Sequence, residues 1–202
     1  MRKRRVLGLA LLFGAVVGLG AAAFVSYPGA FLHWHVPAAI LTYLAFVVCV
    51  VMNILRALNR PVTLFPPLCA CDVGLVFAGI TLVSGMLWGR HAWGTAWIWE
   101  PRLTGMLLMT LIFLSWRMTA SHIAKHVVAE RVATSSLILL GLPSMAFTHL
   151  ATRLFGGIHP SGMPEASHPS ALPGQAFLLT GLCYAFLALF IIFLRRSLRP
   201  QN

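Results

Sequence analysis

Charged residues are scarce in this sequence, and acidic residues are the scarcest of them. Only 9% of the 202 residues are charged, and only four are Asp or Glu. Soluble domains carry about 25% charged residues. The low charge, together with a hydrophobic content of 59%, excludes an ordinary soluble domain and indicates an integral membrane protein whose helices pack against lipid and against one another.

The shortage of acidic residues leaves a formal net charge of +11. Such an excess of Lys and Arg in a soluble protein would suggest a nucleic-acid partner. Here the basic residues are concentrated in short connections between apolar segments, where they set the orientation of membrane helices. We therefore expect membrane lipid, and no nucleic acid, around this chain.

The sequence also lacks a C-x-x-C-H motif, which excludes covalent attachment of a c-type haem to this chain. Its four cysteines, Cys49, Cys69, Cys71 and Cys183, all lie in apolar runs. Cys69-x-Cys71 could be a redox pair, but we favour the interpretation of all four as small buried apolar residues.

Six apolar segments account for most of the chain. Each is close to the ~20 residues that a helix needs to cross the hydrocarbon core. Their spans are 6–26, 36–55, 68–87, 102–118, 132–150 and 175–194. No alternating pattern indicates a barrel. The sequence therefore predicts an all-α, polytopic membrane protein in which residues 1–202 form a single domain, a bundle of six transmembrane helices.

The basic residues divide unevenly between the two sides of this predicted bundle. Twelve lie on the side of both termini: Arg2, Lys3, Arg4, Arg5, Arg56, Arg60, Arg117, Lys125, Arg131, Arg195, Arg196 and Arg199. The other side has Arg90, Arg102 and Arg153. The positive-inside rule then predicts cytoplasmic N and C termini. We expect the first segment to be a retained helix, because its apolar run is longer than the about 7–15 residues of a signal peptide.

The stretch 88–104, on the predicted outer side, reads W-G-R-H-A-W-G-T-A-W-I-W-E-P-R-L-T. It contains four of the six tryptophans: Trp88, Trp93, Trp97 and Trp99. Aromatic rings, cations and an imidazole at a membrane surface suit a flat, apolar, anionic ligand such as haem. An aromatic belt would populate both faces of the membrane, whereas five of the six tryptophans are predicted to lie outside, so we favour a binding site.

Spacing and charge suggest individual roles within this stretch. Trp93 and Trp97 are four residues apart, so a short interfacial helix would place both on one face, where they could stack on a porphyrin. Arg90 and Arg102 could pair with its propionates. Glu100 precedes a proline at a predicted helix start, where it is either structural, as a cap or a partner of Arg102, or part of the site.

Two histidines from different predicted segments could bind one iron from opposite faces. His35 precedes the second segment in F-L-H-W-H-V-P-A-A-I, where Pro37 would occupy the first helical turn and place His35 at a helix start. His159 lies in the outer connection 151–174. The other outer histidines that we considered, and interpret as interfacial or packed residues, are His33, His149 and His168. His33, two residues before His35, is the alternative for the first ligand.

The pattern W-G-x-x-x-W-G-T-x-W-x-W-E-P-R-L-T resembles the tryptophan-rich signature of the haem-handling proteins of c-type cytochrome maturation. Within that superfamily the chain is most similar to the CcmC family, whose stretch before the second helix also matches H-V-P-A-A at 35–39. The resemblance covers about residues 30–195. The chain departs from the family signature at Glu100, where Asp is usual, and at Ala96, where another Trp is common.

The CcmC resemblance implies a protein that displays non-covalently bound haem b at the periplasmic face of the bacterial inner membrane. It implies His35 and His159 as the two axial ligands of the iron and assigns the porphyrin to the Trp-rich loop 88–104. The residues expected to contact the haem are Trp88, Trp93, Trp97, Trp99, Glu100, Arg90 and Arg102. The resemblance also implies delivery to the haem chaperone CcmE, with CcmA, CcmB and CcmD as partners, and thus presentation of a ligand rather than enzymatic turnover.

Three other functions are compatible with a helical membrane protein. A haem–apocytochrome ligase of the CcsA or CcmF type would need more helices or a large outer domain, for which 202 residues leave little room. A b-type cytochrome would place paired histidines inside helices, whereas the candidate ligands here are predicted at helix ends and in connections. A purely structural transporter subunit would leave the outer concentration of Trp and His unexplained.

Overall fold

The computed structural model describes residues 2–23, 30–123, 126–156 and 173–197. Within these ranges the regular secondary structure is α-helical, which confirms the predicted all-α class. The helices are α1 (Arg2–Ala23), α2 (Ala30–Ala57), α3 (Phe65–Trp93), α4 (Pro101–Ile123), α5 (Val127–Phe155) and α6 (Pro173–Ser197).

Five of these helices, α2 to α6, are long and apolar enough over their described residues to cross a membrane. The apolar stretch found in α1 is shorter, Leu7–Gly18. Large aliphatic side chains such as Val83, Leu139 and Leu182 are exposed on the outside of the bundle, where lipid would cover them. The chain is therefore a polytopic helical membrane protein. The count of six spans and the cytoplasmic position of the termini remain predictions.

Ion pairs tie helices together at one end of the bundle, which we call the arginine end. Asp72, near the start of α3, accepts hydrogen bonds from Arg117 near the end of α4 and pairs with Arg195 near the end of α6. Arg56 at the end of α2 pairs with Glu130 at the start of α5. Acidic side chains in apolar segments are costly without such partners. The pairs also show that α2 to α6 alternate in direction.

The opposite end, which we call the tryptophan end, carries the connection 94–100 between α3 and α4. Between the two ends, α2 packs along α3, α4 along α5, and α1 against α6. In the core, Phe46 of α2 stacks on Phe113 of α4 with ring centroids 3.8 Å apart. A Cβ on Gly74 would overlap the Phe46 ring, so glycine there allows α2 and α3 to approach closely.

All four cysteines are free and buried. The Cys71 thiol lies beside Cys49 and donates to the Phe113 carbonyl, 3.5 Å away. Cys69 is two residues earlier on the same helix, a spacing at which side chains do not face each other. These contacts agree with the interpretation of the cysteines as small core residues.

Candidate functional site

A cavity of about 510 Å³ opens at the tryptophan end between α2, α3, α4 and α5. Its volume is within the about 300–1,000 Å³ that is typical of small-molecule sites. Most of its wall is aliphatic or aromatic. Five of the residues predicted to bind the ligand line it: His35, Trp88, Trp93, Trp97 and Arg102.

The Trp-rich stretch does not form the predicted short interfacial helix, so that prediction was wrong. Helix α3 continues to Trp93 and ends at Gly94, whose φ of 76° is the left-handed conformation that often terminates helices. Trp97 lies in the non-helical connection that follows, and α4 begins at Pro101. Because proline disfavours a helical conformation in the residue before it, the connection stays non-helical up to that point.

Three of the four tryptophans in this stretch line the cavity, and all four pack edge to face in pairs. Trp88 and Trp93 have ring centroids 4.8 Å apart and planes at 75°. A Cβ on Gly89 would lie 3.2 Å from the Trp93 ring, so glycine there allows the ring to lie against α3. Trp97 and Trp99 form the second pair, with centroids 5.4 Å apart, but Trp99 is 74% exposed and lies outside the cavity lining.

Trp97 also carries a buried hydrogen-bond donor. Its indole Nε1–H has no acceptor among the residues that the structure describes. Buried indole donors usually find a partner. A ligand in the cavity that supplied an acceptor atom would satisfy this donor.

His35 lies in the second turn of α2, because the helix begins at Ala30 and not at the predicted start beside Pro37. Its Nδ1 is 3.1 Å from Ser84 Oγ on α3. The Ser84 hydroxyl also donates within α3, with the Ile80 carbonyl 2.7 Å away. The contact with Ser84 fixes the orientation of the His35 imidazole from α3.

Gly85 leaves the space that the His35 ring occupies. A Cβ at this position would lie 3.0 Å from His35 Cε1 and 3.4 Å from Nδ1. One turn of α3 thus supplies both a hydrogen-bond acceptor at Ser84 and a gap at Gly85. The sequence analysis missed both residues, because nothing in a single sequence connects them to a histidine some fifty residues earlier.

Another part of the cavity wall carries polar groups, of which sequence reasoning missed Tyr43 and Thr148. Tyr43 lies two turns beyond His35 on α2, and its ring meets His149 of α5 edge-on, with centroids 6.5 Å apart. Thr148 lines the wall beside His149, and Arg102 in the first turn of α4 lines the same cavity. The interpretation of His149 as a packed residue was wrong, since the residue is exposed and lines the cavity. The only sequence signal was the helical spacing of His35 and Tyr43.

Glu100 occupies the position just before α4, which confirms the helix start predicted there. The residue is 5% exposed, and its backbone carbonyl accepts the Thr104 N–H at 3.0 Å. A negative charge here is favourable beside the positive end of the α4 dipole. Arg90 lies on the exposed surface of α3, outside the cavity lining.

The remaining predicted histidines lie elsewhere. The His33 ring packs edge-on against Phe177 with centroids 6.5 Å apart, outside the cavity lining. His159 and His168 lie outside the described residues. Within the described ranges, no group of three or more His, Cys, Asp or Glu could hold a bare metal ion. The cavity instead offers the separate imidazoles of His35 and His149. Single imidazoles suit a metal that is already held by a macrocycle.

Comparison with known proteins shows that the chain is similar in sequence to heme exporter proteins. Residues 6–200 match the family model of CcmC, Heme exporter protein C. The chain is 27% identical over 179 residues to Heme exporter protein C of Paracoccus denitrificans, covering 83% of this chain and 72% of that protein. It is 28% identical over 134 residues to Heme exporter protein C of Escherichia coli, covering 63% and 52%. A ccmC-like mitochondrial protein of Marchantia polymorpha, named for cytochrome c biosynthesis, is 36% identical over 81 residues, or 40% of this chain and 36% of its own.

Proposed function

The chain belongs to the CcmC family of heme exporter proteins, and from this premise we propose that its cavity at the tryptophan end binds haem for c-type cytochrome maturation. The proposed ligand is haem b, held without a covalent bond. The chain presents this haem at the outer face of the bacterial inner membrane, a role in haem delivery rather than turnover.

His35 is the observation that carries the proposal. Its imidazole lies in the wall of an apolar cavity, and the contact between Nδ1 and Ser84 holds the ring in its orientation. A neutral imidazole nitrogen oriented through its other nitrogen is the usual form of a protein ligand to iron. If haem is bound here, it would supply an iron for which His35 is the proposed ligand.

The rest of the cavity suits the porphyrin. The rings of Trp88, Trp93 and Trp97 supply aromatic surface for the macrocycle. Arg102 supplies a cation for a propionate, and the buried Trp97 N–H supplies a further donor. Trp99, Glu100 and Arg90, which lie outside the cavity lining, complete the proposed set, and His159 is the proposed second iron ligand.

The haem is proposed to pass from this cavity to the periplasmic chaperone CcmE, with CcmA, CcmB and CcmD as membrane partners. An exposed Trp99 and a non-helical connection border the cavity, which leaves aromatic surface accessible to an incoming chaperone. The proposed transfer therefore requires no opening of the helical core.

Co-expression with CcmE tests this function directly. The protein purified after expression alone is expected to show the absorption bands of low-spin haem with two histidine ligands, and co-expressed CcmE is expected to take up haem and lower that content. Absorption spectra and haem per polypeptide measure both effects, with CcmE expressed without this chain as the control. A folded protein that carries no haem and binds none when haem is added contradicts the proposal.

Orientation can be tested independently of haem. The division of basic residues predicts that the tryptophan end faces the periplasm. A membrane-impermeant maleimide added to intact spheroplasts should therefore label Ala92→Cys, at an exposed position late in α3. It should leave Leu58→Cys, at an exposed position just after α2, unlabelled. The wild-type chain, whose four thiols are buried, provides the background. Labelling of Leu58→Cys alone would reverse the proposed sidedness.

A further inference from the structure

A second cavity, of about 390 Å³, lies between α2, α3 and α6, and we call it the α2–α3–α6 groove. Its mouth is at the arginine end, where Phe65 and Pro66 begin α3 and Arg196 lies near the end of α6. The groove runs along α3 as far as Val73 and along α2 as far as Leu41. Apart from Arg196 and one thiol, apolar residues line it.

The dimensions of this groove match one leaflet of a bilayer. From Phe65 to Val73 it follows eight residues of helix, which is about 12 Å at a rise of about 1.5 Å per residue. Half of a hydrocarbon core of about 30 Å is about 15 Å. Leu44 and Val48 on its α2 wall are exposed, so the groove opens sideways to lipid.

Arg196 is the cation at the mouth of the groove, and its surroundings differ from those of Arg195, the residue before it. Arg195 Nε is 2.8 Å from Asp72 Oδ2, so that charge is paired inside the bundle. Arg196 is exposed and has no carboxylate partner within the part of the chain that the structure describes. The start of α3 offers few backbone donors, because Pro66 and Pro67 lack an N–H. The Arg196 guanidinium is therefore the group that an anion at the mouth would meet.

We propose that the α2–α3–α6 groove binds one acyl chain of an anionic phospholipid and that Arg196 binds its phosphate. The groove and its cation are complementary to a hydrocarbon chain that ends in a negative charge. Basic side chains beside helices at the membrane surface recognise such head groups, and a guanidinium suits phosphate geometry. A transmembrane helix of another subunit is about 10–12 Å wide with its side chains and would lie across the groove, not within it.

Lipid titration of the purified full-length protein tests the site. Phosphatidylglycerol and phosphatidylcholine with identical acyl chains are added separately, and bound lipid is counted by native mass spectrometry. The wild type should bind phosphatidylglycerol about fivefold more tightly, the effect of one basic residue near an anionic head group. Arg196→Gln should abolish this preference. Arg131→Gln, which removes an exposed cation of α5 outside the groove, should retain it.

Two further experiments distinguish binding of the acyl chain from binding of the head group. Glycerol phosphate, which has no acyl chain, should not displace the lipid. Val48→Phe, at an exposed position in the wall, should weaken binding of both lipids together. The proposal is overturned if Arg196→Gln keeps the phosphatidylglycerol preference, if glycerol phosphate competes fully, or if a co-purifying polypeptide occupies the site and excludes lipid.

Discussion

Replacement of His35 by Ala is expected to lower the haem content of the purified protein by at least about tenfold, because even the loss of an outer-shell partner of a metal ligand costs about 10–100-fold in affinity. The substitution removes the proposed iron ligand itself and leaves only stacking and propionate contacts. The His35 ring lines a cavity and is not part of the hydrophobic core, so membrane yield should stay near that of the wild type. Haem per polypeptide and the low-spin absorption bands measure the effect.

His33→Ala is the matched control, since His33 is two residues away on α2 and its ring packs against Phe177 outside the cavity. It should retain haem, as should His122→Ala near the arginine end. Gly85→Ala should lose haem while keeping the imidazole, because the added Cβ would press on the His35 ring. Loss of haem in His33→Ala with normal haem in His35→Ala would reverse the ligand assignment.

The second ligand can be assigned in the same assay. His159→Ala should shift the low-spin bands as His35→Ala does, whereas His149→Ala should leave them in place. His149 lines the cavity beside Tyr43 and is therefore the described residue best placed to contradict this expectation. Loss of the low-spin spectrum in His149→Ala alone would move the second ligand into α5.

The helical class was predictable because apolar segments of about 20 residues leave the backbone no other way to satisfy its hydrogen bonds in lipid. Helix ends were less accessible to sequence reasoning. Helix α2 begins at Ala30 and passes through Pro37. Helix α3 extends to Trp93, where Gly94 in the left-handed conformation ends it. The predicted segments stopped where hydropathy fell, which is where the membrane ends and not where the helix ends.

In the candidate site, too, some residues could be predicted from the sequence and others could not. The tryptophans and Arg102 are close together in sequence, so their composition alone marked them as a group. Ser84 and Gly85 act on His35 from another helix, and a contact of that kind is created only by packing. Asp72 is a further example, since a lone acid in an apolar run has no visible partner until α4 and α6 bring Arg117 and Arg195 to it.

Trp97→Ala is expected to weaken haem retention about tenfold while the protein remains inserted and folded. A stacked aromatic ring contributes about 0.5–1.5 kcal/mol beyond its buried area, and the substitution also removes the buried indole N–H. Trp97 lies in the non-helical connection and lines the cavity, so its loss leaves α3 and α4 intact. Haem per polypeptide, transfer to CcmE and membrane yield are measured together.

Trp97→Phe and Trp99→Ala separate a porphyrin site from a membrane anchor. If Trp97 served only as an interfacial anchor, Phe would replace it without loss. In a haem site, Trp97→Phe keeps a ring but leaves the ligand's acceptor unpaired, and the loss of a neutral hydrogen bond costs about 0.5–1.5 kcal/mol. Trp99, which is exposed and packs edge-on against Trp97, should give a smaller loss as Trp99→Ala. Normal haem content and normal transfer in a protein with Trp93, Trp97 and Trp99 all replaced by Ala would mean that these rings form an aromatic belt and not a haem site.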